Sequence, residues 1–255
     1  MNRIQHVFGV PRVLLPVIHP ISEIAALRSI DVASEAGCPG VFLINQGMAS
    51  GDVLAFLVQA RARWPHLWLG VNLLGHSPQG ALRRALRDAE GRLDGLWSDQ
   101  AGIDEYAKVQ REAGLFVEVR EQLGWQGLYF GGVAFKGQPP VADEDLCSVA
   151  TLAEVLMDVV CTSGPGTGVA APPSKVQAMR GCLSPEGCLA LASGVTEENV
   201  GDYLPFVDAF LVGTGIERSL GVLDAGKVAR LQTRVATYRP ATPAPALPDA
   251  KKPAP

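Results

Sequence analysis

Two segments near the C-terminal end run from apolar residues into small, hydroxyl-bearing ones. Leu189-Ala190-Leu191-Ala192 leads into Ser193-Gly194-Val195-Thr196, and Ala209-Phe210-Leu211-Val212 leads into Gly213-Thr214-Gly215. Glycine beside serine or threonine lets a chain turn tightly and brings backbone N–H groups close to a ligand. A helix expected to start at Thr196 would add its partial positive end. The chemistry such residues suit is capture of an oxyanion, phosphate above all. A third segment, Thr162-Ser163-Gly164-Pro165-Gly166-Thr167-Gly168, is long, small and hydroxyl-rich, and offers Ser163, Gly164 and Thr167 to the same anion. It is not a Walker-type phosphate loop, because no Gly-Lys-Ser/Thr follows.

Proton transfer needs a different set. Asp99 and Lys136 leave consecutive apolar runs and form the best acid–base pair, a carboxylate beside an ammonium. The bland alternative for them is a structural ion pair. His19, also at the end of an apolar run, is a third acid–base candidate. Asn72 and Asn45 occupy equivalent exits and are expected to contact substrate. The five cysteines show no C-x-x-C spacing, so they read as reduced packing residues rather than metal ligands. No metal constellation and no organic cofactor motif is present, and no G-x-G-x-x-G follows the first run.

The elements that must position these residues alternate from start to end. Apolar runs cover 13–18, 41–44, 67–71, 93–97, 128–135, 158–161, 189–192 and 209–212, each followed by a helix signal. Ser22, Ser77 with Pro78, Ser174, Thr196 and Asp224 read as helix starts. The stretch 105–124 reads as helical, although 115–119 also fits a strand. Gly131 and Gly132 inside the fifth run are expected to leave room for a ligand or for large neighbours such as Trp97 and Phe130. Eight strand–helix units with no second domain predict an α/β fold, a single (β/α)8 TIM barrel over 1–238, with the candidate residues at the C-terminal ends of its strands. In that fold the loops after strands 7 and 8 commonly form a phosphate site.

Composition agrees. The chain has 255 residues, 47% hydrophobic and 19% charged, with a net charge of −4. That excludes a basic footprint for a nucleic acid polymer. The apolar runs are too short for membrane insertion. No signal-peptide pattern opens the chain, so the expected location is cytoplasmic. Residues 239–255 are rich in proline and alanine and are expected to be a disordered tail. A homo-oligomer is compatible with this composition.

Several stretches together resemble the BtpA/SgcQ family of TIM barrels. They are Thr162 to Gly168 with Pro172-Pro173, Ala192-Ser193-Gly194-Val195-Thr196-Glu197-Glu198-Asn199-Val200, Asp208-Ala209-Phe210-Leu211-Val212-Gly213-Thr214, and Leu69-Gly70-Val71-Asn72-Leu73-Leu74. The likeness spans most of 10–235 and is strongest after 158. Two departures stand out. Lys136 lacks the acidic and histidine neighbours usual on strand 5, and Gly215 replaces a serine. The resemblance implies a fold and a phosphorylated ligand rather than a reaction. The expected function is therefore an enzyme acting on a phosphorylated sugar or nucleotide-like small molecule, by isomerisation, lyase cleavage or glycosidic-bond cleavage. The alternatives are a non-catalytic binder or assembly factor that retains the phosphate site, and an interaction scaffold.

Overall fold

The computed structural model describes residues 1–104 and 106–240. Eight strands, β1 (Val13–Ile18), β2 (Gly40–Ile44), β3 (Trp68–Asn72), β4 (Gly95–Ser98), β5 (Leu128–Gly132), β6 (Val159–Ser163), β7 (Leu189–Ala192) and β8 (Ala209–Val212), pair in chain order. All pairings are parallel, and β8 returns to β1, closing the barrel. Every strand residue is buried. That is why the runs read as continuously apolar rather than alternating. The alternation survives as a choice of core. Val13, Leu15 and Val17 point into the barrel, while Leu14 and Ile18 pack under the outer helices.

The barrel interior is filled, not hollow. The Phe42 ring packs edge-on against Trp68 at 5.1 Å and Phe130 at 5.2 Å. A methyl group on Gly70 or Gly95 would overlap the Trp68 indole, so these glycines make its seat. Below it lies an element the sequence reading did not anticipate. Helix α1 (Arg3–Phe8), started by an Asn2–Gln5 capping box, buries Ile4 in the interior and sets Phe8 5.5 Å from Trp68. It closes the end at which the strands begin.

The outer helices are α2 (Glu23–Glu35), α3 (Ser50–Arg63), α4 (Pro78–Asp88), α5 (Arg111–Leu123), α6 (Leu146–Glu154), α7 (Pro173–Cys182) and α8 (Ala225–Thr237). Ser22, Ser77 and Asp224 cap their helices through side-chain oxygens, as expected. Other expectations are corrected. Residues 115–119 lie inside α5, with Phe116 and Val119 buried on one helical face, and α5 begins only at Arg111. Strand β5 stops at Gly132, short of 135. Ser174 lies inside α7, whose cap is Pro172. Thr196 starts no α-helix. The chain after β7 makes only a 3-10 turn, Val200–Asp202, and after β8 another turn and a small hairpin of β9 (Glu217–Ser219) and β10 (Val222–Leu223) precede α8.

The thiol expectation also fails in part. Cys147 of α6 and Cys182 of α7 form a disulfide, whereas Cys38, Cys161 and Cys188 are free and buried. Stable disulfides belong to oxidising surroundings, which counts against the reduced-thiol picture. No described helix is long and apolar enough to cross a membrane. The tail expectation falls, from 241 on, outside the described residues.

A repeated staple ties odd strands to even ones. Asp94, Asp158 and Asp208 each stand just before an even strand and accept the backbone N–H of Leu69, Tyr129 and Leu189 on the preceding strand, all at 2.8 Å. Each carboxylate also meets an arginine from the helix that precedes the odd strand: Arg61, Arg120 (2.7 Å) and Arg180 (3.2 Å). The same arginines donate to the carbonyls of Leu67, Gly127 and Gly187 in the loops leading to the odd strands.

Candidate active site

The turns after β7 and β8 meet at the mouth where the strands end. Ser193 (φ 66°) and Gly194 (φ 69°) are consecutive left-handed residues, which reverse the chain within two positions. Serine tolerates that conformation poorly, and such strain collects at functional sites. A methyl on Gly215 would overlap the carbonyl oxygen of Val195, so the two turns are in contact. The β6 loop joins them. A methyl on Gly164 or Gly194 would overlap the backbone of Val169 and Ala170, and one on Gly168 would lie 3.9 Å from Thr214 Oγ1. Asn199 does the work expected of a helix start: its Oδ1 accepts from the Thr196 N–H and its Nδ2 donates to the Gly194 carbonyl, both at 2.8 Å. Among the described residues none accepts the N–H of Gly194, Val195, Gly213 or Thr214. Free amides on touching turns are the raw material of an anion site.

Ser163 sits differently from expectation. It is fully buried, and its hydroxyl accepts from the Lys136 N–H at 2.8 Å while donating to the Gly164 carbonyl. It shapes the loop from inside. Thr167 is exposed, and its Oγ1 accepts from Lys136 Nζ at 3.2 Å.

Across the mouth a cleft of about 690 Å³ contains Asn72, His76, Asp99 and Lys136. Asn72 Nδ2 donates to Asp99 Oδ1 at 2.8 Å. Burial raises the Asp99 pKa, while the Asn72 hydrogen bond and the nearby Lys136 charge pull the other way. The balance leaves a carboxylate more basic than usual. Asp99 and Lys136 share this cleft without forming an ion pair, since Lys136 reaches over to the β6 loop instead. Trp97, beside Asn72 in register, is buried in the interior with an indole N–H that no described residue accepts. The two strand glycines do make room, but for neighbours other than Trp97 and Phe130. A methyl on Gly132 would strike the Asp99 carbonyl and one on Gly131 would strike Met157, so they admit a crossing backbone and an outer side chain.

His19 is buried, and its Nδ1 lies 2.8 Å from Glu217 Oε1, which also accepts from the Gly221 N–H. The ring edge lies against Gly213. Glu217 was missed by the sequence reading. Its only signal is an acidic residue two positions beyond the Gly213-Thr214-Gly215 turn. Asn45 is committed internally: Oδ1 accepts from the Leu74 N–H at 2.5 Å, and Nδ2 donates to the Leu74 carbonyl and to Ser50 Oγ, each at 3.2 Å. Ser50 Oγ in turn lies 2.9 Å from His76 Nε2. Ser50 Oγ accepts from Asn45, so its own proton has His76 Nε2 in reach, an arrangement that suits the tautomer with its proton on Nδ1. Asn45 therefore positions the loop carrying His76 rather than reaching outward.

The structure thus brings the β6, β7 and β8 turns together on one side, and Asn72, Asp99, His76 and Lys136 together on another. His19 stands between β1 and the β8 turn. Among the described residues no three His, Cys, Asp or Glu side chains converge as a metal site.

No family model matches the chain. No curated protein sequence matches it either. Solved structures do. Phosphoribosyl anthranilate isomerase from Thermus thermophilus superposes with a TM-score of 0.59 at 18% identity, covering 88% of this chain and 100% of that one. The (S)-3-O-geranylgeranylglyceryl phosphate synthase from Thermoplasma acidophilum, solved with its substrate sn-glycerol-1-phosphate, gives 0.64 at 13%, covering 93% and 100%. The 3-keto-L-gulonate-6-phosphate decarboxylase from Vibrio cholerae gives 0.60 at 12%, covering 91% and 100%. The chain is a closed (β/α)8 barrel that shares its fold with these enzymes of phosphorylated substrates.

Proposed function

We propose that this protein is an enzyme that binds a phosphorylated sugar or nucleotide-like small molecule. The amides of Gly194, Val195, Gly213 and Thr214 hold the phosphate, with Gly164, Thr167, Ser193 and Thr196 around it. The observation that carries the reading is the contact between the β7 and β8 turns, with four N–H groups lacking acceptors. Asp99 takes or returns a proton, Asn72 orients it, and Lys136 stabilises negative charge that develops on the substrate. Isomerisation, lyase cleavage and glycosidic-bond cleavage each use such a group. The names of the structural neighbours support a phosphorylated substrate. Kinship with the BtpA/SgcQ family belongs to the same proposal.

The test is a thermal-shift series comparing ribose 5-phosphate and nucleoside monophosphates with their unphosphorylated parents. Only the phosphorylated compounds should raise the melting temperature, since a ligand bound by the folded state alone adds stability. Gly215→Val, which wedges the turns apart, should abolish the shift. Absence of any shift with phosphorylated compounds would overturn the reading. The rival, a non-catalytic binder or assembly factor, draws on Lys136 having no acidic or histidine partner on β5. It predicts binding without turnover in wild type and Asp99→Asn alike.

A further inference from the structure

Between the exits of β5 and β6 lies a second cleft of about 310 Å³, walled by Phe135, Gln138, Gly164, Pro165 and Pro172 and bearing Lys136 and Lys175. Lys175 stands in the first turn of α7 and is half-buried. Its Nζ donates to two backbone carbonyls, Ala134 at 2.5 Å and Ser163 at 2.8 Å. An ammonium has three hydrogens and a neutral amine has two. The two carbonyls hold two of these hydrogens, and the remaining position, a proton in the ammonium or the lone pair in the amine, is the one left for a ligand in the cleft. Burial lowers the Lys175 pKa to about 8, with the Asp143 carboxylate partly opposing. Lys136 and Asp143 are the other charged groups on this cleft. Nothing in the proton-transfer scheme above uses Lys175.

We propose that Lys175 is a nucleophilic lysine whose amine adds to the carbonyl of a small anionic aldehyde or ketone entering this cleft, with Lys136 beside the anion. The Nζ lone pair attacks the carbonyl carbon and the oxygen takes up a proton. Loss of water then gives an imine, a reversible covalent link that borohydride reagents trap by delivering hydride to its carbon. The phosphate site is not required for this step, so the two readings fail separately.

Glyoxylate with cyanoborohydride at pH 7.5 is the probe, followed by peptide mapping of all six lysines. Lys175 should be modified at least about tenfold faster than exposed Lys108, because far more of it is uncharged at that pH. In Lys175→Arg, which keeps a donor to both carbonyls, the fast modification should vanish while the melting temperature stays within a few degrees. Modification of Lys175 no faster than Lys108, or a fast phase that persists in Lys175→Arg at another lysine, would overturn the proposal.

Discussion

Asp99 carries a carboxylate into a place where burial opposes its charge. Its folded pKa is raised, so the native state holds that proton more tightly than the unfolded chain does. The associated stability is present below the ordinary aspartate pKa and is lost as pH rises through the raised value. At neutral pH the ionised form therefore weakens the fold, a common cost of a reactive group. Asp99→Asn still offers an oxygen to Asn72 and should gain about 1 kcal/mol at pH 7. Urea melts should show that gain disappearing near pH 3, and an equal gain at both pH values would remove burial as the cause. His76 gives a second residue-scale test. Nitrogen-detected NMR should find its proton on Nδ1, and Ser50→Ala should yield a mixture of tautomers by removing the hydroxyl that fixes it. Sequence made Asp99 and Lys136 legible because each is a charge placed at the end of an apolar run. It could not show that Lys136 turns to Thr167, nor that Asn45 is consumed by Leu74 and Ser50, because those partners lie up to 31 positions away along the chain.

Strands were readable because burial on both faces confines polar residues to their exit ends, as at Asn72, Ser98 and Thr162-Ser163, and β1 spans the same 13–18 as its apolar run. Helices were readable where a hydroxyl or carboxylate caps them, as at Ser22, Ser77 and Asp224. The β7 exit misled because Thr196 with Asn199 three residues on resembles a helix start, yet Asn199 closes a local loop instead. The Asp–Arg staples were invisible as single residues and become a pattern only when helix, loop and strand are assembled. They sit at the end where strands begin, which in this architecture serves stability rather than chemistry. Asp158→Ala removes the carboxylate shared by Arg120, Arg3 and the Tyr129 N–H, while Arg120 keeps the Gly127 carbonyl, and should cost about 3 kcal/mol in urea unfolding. Adding Arg120→Ala should cost less than the sum of the two single changes, by about 1 kcal/mol, because the pair acts as one contact. Strict additivity would mean that the staple is a surface pair of no consequence.

Closure of the whole barrel depends on contacts that no local pattern announces. Helix α1 plugs one end with Ile4 and Phe8, and the β1–β8 pairing joins residues nearly 200 positions apart. The Cys147–Cys182 bond is the covalent counterpart, linking α6 to α7 across a separation of 35 residues. Lys175 and its cleft lie at the opposite end of α7 from Cys182, so the bond fixes a helix whose first turn reaches the mouth. A crosslink of that span restricts the unfolded chain and stabilises the fold by roughly 4 kcal/mol in the chain-entropy account. Iodoacetamide under denaturing conditions should therefore modify three cysteines without reductant and all five with it. Dithiothreitol should lower the urea midpoint of the wild type but leave a Cys147→Ser, Cys182→Ser double variant unmoved. Because Cys147 is exposed, reductant reaches the bond without unfolding, and the loss should appear within the native protein. Five reactive thiols before reduction would show that the two helices are held by packing alone, through Val149, Ala153, Val176 and Met179.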